Sequence, residues 1–310
     1  MTSPTTPTDR PLLVTGATGA QGGATARALR AARRRVRALV RDPDSPAARA
    51  LAASGVKLAR GDLGDPASLD AALAGVEGVF SVQVPDATPT DRERRHGFAL
   101  VEAARRAGVA QFVHTSVCEA GRHTGFPHWG EGRWTEKYWT DKWDIEQAVR
   151  AAGFAHWTVL KPAFMMDNFA QPKARFMFPH LREGRLLTAL HPSTRMQLIA
   201  AEDIGTFAAA AFARPAEFDR QDIDLAAEAL TMGEVAAALS EVTGRRVAAQ
   251  ALSPQEALAA GLFPGWVRSQ EWTNLAGYRA DIDACRRRGI PLTAFASWAR
   301  RHGEALLVDA

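Results

Sequence analysis

Between Pro11 and Pro162, short apolar, β-branched runs alternate with alanine-rich stretches whose apolar residues recur at helical spacing. PLLVTG reads as a first strand, and AQGGATARALRAAR as the helix that follows it. VRALVR is a second strand. SPAARALAASG is then a helix with Ser45 as N-cap and Gly55 just past its end. VKLARGD, GVFSVQV, AQFVHTSV and AHWTVLKP read as four further strands. Between them lie the helices DPASLDAALAGV, with Pro66 in its first turn, TDRERRHGFALVEAARRAG, and one that holds YWTDK and runs to about Ala152. Strand and helix alternating at this spacing imply right-handed crossovers and a parallel sheet covered on both faces. The expected fold class is α/β: a doubly wound parallel Rossmann sheet in the dinucleotide-binding arrangement.

After Pro162 the rhythm loosens. MQLIAAEDIGTFAAAAFA reads as a strand entering a helix, QDIDLAA as another strand, and Thr231 with Glu234 as a capping box. Residues 251–310 read as mostly helical. The expected division is a tail at 1–10 without order, a nucleotide-binding domain at 11–162 plus about 195–226, and a smaller, mostly helical C-terminal substrate lobe at 163–194 plus 227–310.

Composition narrows the function classes. The chain has 310 residues, is 46% hydrophobic and 23% charged, and carries a net charge of +4. That slight excess is spread out, apart from Arg33, Arg34, Arg35 and Arg37, so no nucleic-acid footprint is expected. Cys118 and Cys285 are far apart, which argues against a disulfide framework or a zinc site, and no metal is expected. No apolar run approaches the ~20 residues of a membrane span, and MTSPTTPTDR lacks the apolar segment of a signal peptide. A cytoplasmic protein, monomer or homodimer, is the expectation. The chain holds 33 arginines but only 5 lysines, so each lysine is the more informative cation.

TGATGAQGG directly follows the first strand and opens the first helix. Gly16, Gly19 and Gly22 have the spacing of a phosphate loop, which needs a tight turn, close backbone approach to a pyrophosphate, and close packing of helix on strand. Thr18 and Gln21 lie within it, and the helix N-terminus presents N–H groups to the phosphates. A ligand-free glycine turn is the plainer alternative. The second strand ends in LVRDP, with Arg41 where an acid would bind the ribose of NAD; a guanidinium there suits the 2′-phosphate of NADP(H). In this arginine-rich chain it could equally be a surface residue. Asp62, with Leu63 beside it, follows the third strand, where it could meet the adenine or simply cap a turn.

In YWTDK, Tyr138 and Lys142 stand four residues apart and share one helix face. When a carbonyl is reduced, hydride reaches carbon and a proton must reach oxygen. A tyrosine hydroxyl can supply the proton, and a nearby ammonium favours the phenolate left behind. The same lysine can hydrogen-bond the nicotinamide ribose. The bland alternative is an aromatic helix packed on the core with a solvated lysine. Ser116 or Thr115, at the end of the fifth strand, could orient a substrate oxygen or cap a loop.

The segments VTGATGAQGG, LVRDP, GDLGDPASLDAAL, FVHTSV and LKPAFMMDNF together resemble the NmrA-like family of atypical short-chain dehydrogenase/reductases, over most of residues 11–215. The resemblance implies a Rossmann domain with NADP(H) held by the glycine loop and Arg41, and a cleft formed with the C-terminal lobe. It also implies two functional classes, since the family holds reductases and cofactor-binding regulators. Its members commonly keep a lysine where Lys142 stands, often without the tyrosine; Lys161 stands where they usually show arginine. The wider superfamily carries the tyrosine–lysine pair on this helix. Around it, His128, Trp129 and Trp134, with Phe164, Met165 and Phe169, would suit a flat apolar substrate. His128 could donate the proton in place of Tyr138. The expected function is an NADPH-dependent reductase of a small apolar carbonyl, enone or quinone-like substrate; the alternative is a non-catalytic NADP(H) sensor.

Overall fold

The computed structural model describes residues 10–85 and 90–306. The tail expected to lack order lies outside the described residues except for Arg10. That residue is tied down, its guanidinium donating to the carbonyls of Gly75 at 3.3 Å and Val76 at 2.9 Å. The chain divides into two compact units.

The first unit takes the chain up to Ala120, then Lys137–Lys161 and Ala201–Ile223. Its strands are β1 (Leu12–Val14), β2 (Val36–Val40), β3 (Lys57–Arg60), β4 (Gly78–Ser81), β5 (Gln111–Thr115) and β6 (His156–Pro162). They stand in the order β3-β2-β1-β4-β5-β6, with the strand Gln221–Leu225 added beyond β6 to make seven. The pairs along β1 to β6 are parallel, for example Leu12 against Gly78 and Ser81 against His114. This is the doubly wound order expected of a dinucleotide fold, in which ligands bind at the carboxyl ends of the strands where the order reverses, between β1 and β4.

Five helices connect these strands: α1 (Ala20–Ala31), α2 (Pro46–Ala53), α3 (Pro66–Leu73), α4 (Arg92–Arg106) and α5 (Glu136–Ala151). Ser45 and Asp65 cap α2 and α3 through their side chains, each ahead of a proline in the first turn. One face of the sheet is sealed by Leu69, Leu73, Leu100, Phe112 and Val149, with Phe112 stacked on Phe154 at 4.7 Å. On the other, α1 meets the helix Ala201–Ala213 so closely that a β-carbon on Gly205 would lie 2.6 Å from the Ala24 backbone.

The second unit comprises Gly121–Glu136, Pro162–Ala200 and from Asp224 onward. Residues 121–136, 162, 195–200 and 224–226, expected in the nucleotide domain, group here instead. Tertiary contacts explain the first of these segments: Phe126 lies 5.2 Å from Trp272, and Arg133 pairs with Glu271 at 3.7 Å. The Thr231–Glu234 capping box is present. The unit is mostly helical, as expected, its longest helices being Met232–Thr243 and Pro264–Leu275, and it also carries short strands. Met196–Ile199 pairs with Phe164–Met165 and Glu228–Leu230, and Arg185–Thr188 pairs in parallel with Ala248–Ala251. The last strand reads AAQA, good helix formers held extended by their partner, so pairing overrides propensity there. No helix among the described residues is long and apolar enough to cross a membrane.

Candidate active site

The turn after β1 is built for close approach. Gly16 has φ +59°, a left-handed conformation, and a β-carbon there would sit 2.6 Å from Val82 Cγ1. On Gly22 the clash would be 2.4 Å from backbone atoms of Thr15 and Gly16, so α1 rests directly on the turn. Thr15 locks the turn to the end of β4: its Oγ1 accepts from Val82 N at 2.9 Å. Gly16, Thr18 and Gly19 are exposed. Gly19 caps α1 with no side-chain hydrogen bond, and no acid lies in the first turn. Backbone N–H groups and the positive end of the helix therefore face open space, an arrangement that accepts an anion. Gln21 reaches the other way, its Oε1 accepting from Thr115 Oγ1 at 2.7 Å.

Arg41, just past β2, is exposed, and its guanidinium has no partner among the described residues. Asp42 is occupied in a turn, accepting from Asp44 N at 2.9 Å. Asp62 likewise accepts from Gly64 N at 2.7 Å, the turn role weighed for it, while Leu63 packs on the sheet's core. The chain thus fits a dinucleotide phosphate: a tight glycine turn opening on a helix N-terminus, with an exposed cation at the end of the next strand.

Helix α5 carries the other half. Tyr138, Lys142 and Glu146 succeed one another at one-turn spacing, Tyr138 half-buried and the other two buried. Lys142 Nζ lies 5.1 Å from the centre of the Tyr138 ring and donates to Glu93 Oε1 at 2.8 Å. Both partners are buried, at 9% and 3% side-chain exposure. Tyr138 also meets Trp139 edge-on at 5.3 Å. Burial, and secondarily the Glu93 charge, push the Tyr138 hydroxyl well above its usual pKa, so the phenol stays protonated.

One turn on, Glu146 is fully buried. Its Oε1 accepts from Ser116 Oγ at 2.6 Å, and its Oε2 pairs with Lys161 at 3.0 Å and Arg150 at 3.1 Å. Burial raises its pKa, against the opposing pull of Lys161 and Ser116. Toward a carboxylate a hydroxyl must donate, and Ser116 has one hydrogen. It therefore has lone pairs left to offer, not a proton. Lys161 also pairs with Asp222 at 3.1 Å and donates to the Ala120 carbonyl at 3.0 Å. The Trp143 ring lies under two cations, with the Arg150 guanidinium 4.9 Å and Lys161 Nζ 5.6 Å from its centre. His114, on β5 beside Ser81, is buried and held neutral, its pKa pushed down to about 3 by burial and then by Lys142.

The six residues expected to line a substrate pocket all belong to the second unit. Phe164 stacks on Trp266 at 4.8 Å, and Phe169 stacks on Phe178 at 4.5 Å with no exposure, so both sit in that unit's aromatic core. Met165 is part-buried beside them. Trp134 is buried, its indole donating to the Pro127 carbonyl at 2.6 Å. Trp129 packs on His123 at 4.8 Å. His128 is exposed, with φ +62° and a 2.9 Å contact to Glu131. Glu93, Glu146 and His114 were not singled out from sequence. Glu146 extends the one-turn spacing of Tyr138 and Lys142 and could have been found that way; Glu93 could not, since only tertiary packing brings it to Lys142. Among the described residues no group of three or more His, Cys, Asp or Glu side chains is placed to hold a metal.

The profile of the NmrA-like family matches residues 8–288. An NAD(P)H azoreductase of Xenophilus azovorans is 33% identical over 319 residues, spanning 95% of this chain and 98% of that protein. A (4-alkanoyl-5-oxo-2,5-dihydrofuran-3-yl)methyl phosphate reductase of Streptomyces griseus is 30% identical over 302 residues, spanning 95% and 98%. Among solved structures, a Citrobacter sp. triphenylmethane reductase complexed with NADP(H) superposes with a TM-score of 0.75 at 23% identity, covering 94% of this chain and 99% of that one. NmrA, a negative transcriptional regulator in complex with NADP, gives 0.72 at 22%, covering 94% of each. At these identities the structural likeness speaks to the fold.

Proposed function

Since this chain belongs to the NmrA-like family, we propose that it is an NADP(H)-dependent reductase of a small apolar acceptor, an aromatic carbonyl, enone or quinone-like compound. The observation that carries the reading is the face of α5: a phenol held protonated, with an anchored ammonium 5.1 Å from its ring centre. The relatives named as reductases support it. Gly16, Gly19, Gly22 and the N-terminus of α1 would hold the pyrophosphate and Arg41 the 2′-phosphate, with Thr18 beside them and Gln21 tied to Thr115. Bound there, the cofactor supplies a hydride. Tyr138 supplies the proton: its O–H bond breaks as the electron pair on the reduced substrate's oxygen takes the hydrogen. The phenolate left on Tyr138 has the Lys142 ammonium beside its ring until solvent restores its proton. Ser116, with its hydrogen committed to Glu146, accepts a hydrogen bond, so its part is to orient a donor, such as an amide, rather than the substrate carbonyl.

The rival reading, a protein that binds the cofactor without turnover, draws on that same internal commitment of Ser116 and Lys142. NADPH oxidation against a panel of quinones and aromatic ketones separates the two. The reductase oxidises NADPH with at least one acceptor, and Tyr138→Phe lowers kcat by about 10²–10⁴-fold. Tight NADPH binding with no turnover of any acceptor selects the sensor. A fully active Tyr138→Phe removes Tyr138 as the donor.

A further inference from the structure

Glu93 lies on α4, outside every motif that marks the fold, yet it is among the most deeply buried carboxylates of the first unit. It reaches Lys142 where α4 passes α5. One turn after Glu93, Gly97 has no room for a β-carbon, which would lie 2.5 Å from Ile145 Cγ1. On the same pair of helices Glu93 Oε1 and Lys142 Nζ stand 2.8 Å apart. A buried ion pair is a poor way to gain stability, since an apolar pair of similar volume often does as well. Its place beside Tyr138 calls for another explanation.

We propose that Glu93 is a positioning residue for the proton donor: it anchors the Lys142 ammonium over the Tyr138 ring, and its negative charge opposes ionisation of the hydroxyl. The ammonium alone favours phenolate; the carboxylate beside it cancels much of that pull. The Tyr138 hydroxyl is accordingly pushed to higher pKa by burial and by Glu93. Other charges near the group do not replace this effect. His114 on β5 is neutral, its pKa pushed down to about 3. At the rim, Lys137 on α5 is shared between Asp91 and Asp141 at 2.8 Å each, and Arg94 on α4 meets Asp91 at 3.1 Å and Asp144 at 3.2 Å. These are paired among themselves.

The proposal rests on Tyr138 as the donor, but its physical content is readable without turnover. The chain has two tyrosines, so Tyr278→Phe leaves Tyr138 as the sole phenol. Biosynthetic fluorotyrosine, a stronger acid, brings its ionisation into the range where proteins stay folded, and its ¹⁹F resonance reports the midpoint. Glu93→Gln is expected to lower that midpoint by about one pH unit or more. Glu93→Asp, which keeps the charge, restores most of it. Should Glu93→Gln not fold, because it strands a buried ammonium, Lys142→Met compared with the Glu93→Gln/Lys142→Met double variant isolates the same charge, and the double variant has the lower midpoint. An unchanged midpoint in a folded Gln variant overturns the proposal, even if the protein proves an active reductase. A lowered midpoint in a protein that reduces no acceptor upholds Glu93's action on the phenol and rejects the reductase reading.

Discussion

Gly22, Arg41 and Glu93 mark how differently single residues declare themselves. Gly22 was legible because its job is local: its absent β-carbon would strike the backbone six and seven residues back. Arg41 draws notice by its place after β2, and the structure leaves it exposed and without a partner among the described residues. Replacing Arg41 by Ala should weaken NADPH by about 10–100-fold, the worth of a charge-assisted contact to phosphate, and leave NADH nearly unchanged. Fluorescence titration with both cofactors measures this, and equal weakening would sink the assignment. Glu93 was not legible: 49 positions separate it from Lys142, and in sequence it is one acid in a charged helical run. Asp42 and Asp62 show the converse. Each sits where a ribose or adenine contact is plausible, and each is engaged in its own turn.

At the scale of elements, α5 shows what spacing can and cannot tell. Four-residue spacing correctly puts Tyr138 and Lys142 on one face, because helix geometry allows nothing else. Which partners meet that face depends on α4 and on the ends of β5 and β6. The control point is Gly97 against Ile145. Gly97→Ala should wedge the helices apart, cost about 1–3 kcal/mol in stability from overpacking, and loosen the Glu93–Lys142 contact. Urea unfolding measures the first. The second appears as a lowered Tyr138 midpoint; an unaltered midpoint in the destabilised variant would show that helix separation does not set the pair. Alanine-rich segments were the least legible. The same composition makes α1 a helix and 248–251 a strand, and only the neighbouring strand Arg185–Thr188 decides the second case.

For the whole molecule, the buried ionisable groups of the first unit tie its stability to pH. His114 has a pKa near 3 in the fold against 6.5 when free. Below the higher value the unfolded chain takes up a proton that the native state refuses, so stability falls with pH, by up to about 1.4 kcal/mol per unit from this group alone. His114→Asn, which keeps a polar atom toward Ser81, should show a shallower decline between about pH 6.5 and 4; parallel unfolding curves would count against His114. The sequence by itself determined the order of strands and helices in the first unit, the tight glycine turn after β1, and the place of Tyr138 and Lys142 on one helix face. These follow from short-range rules: side-chain period, glycine conformation, and the handedness of a crossover. Only the tertiary structure decided that Glu93 completes the ion pair, that Ser116 gives its hydrogen to Glu146, that residues 121–136 fold with the second unit, and that Phe164 and Phe169 serve that unit's core. Those outcomes depend on which distant surfaces close on one another. A burial pattern along one chain marks a position as buried but does not name its neighbour.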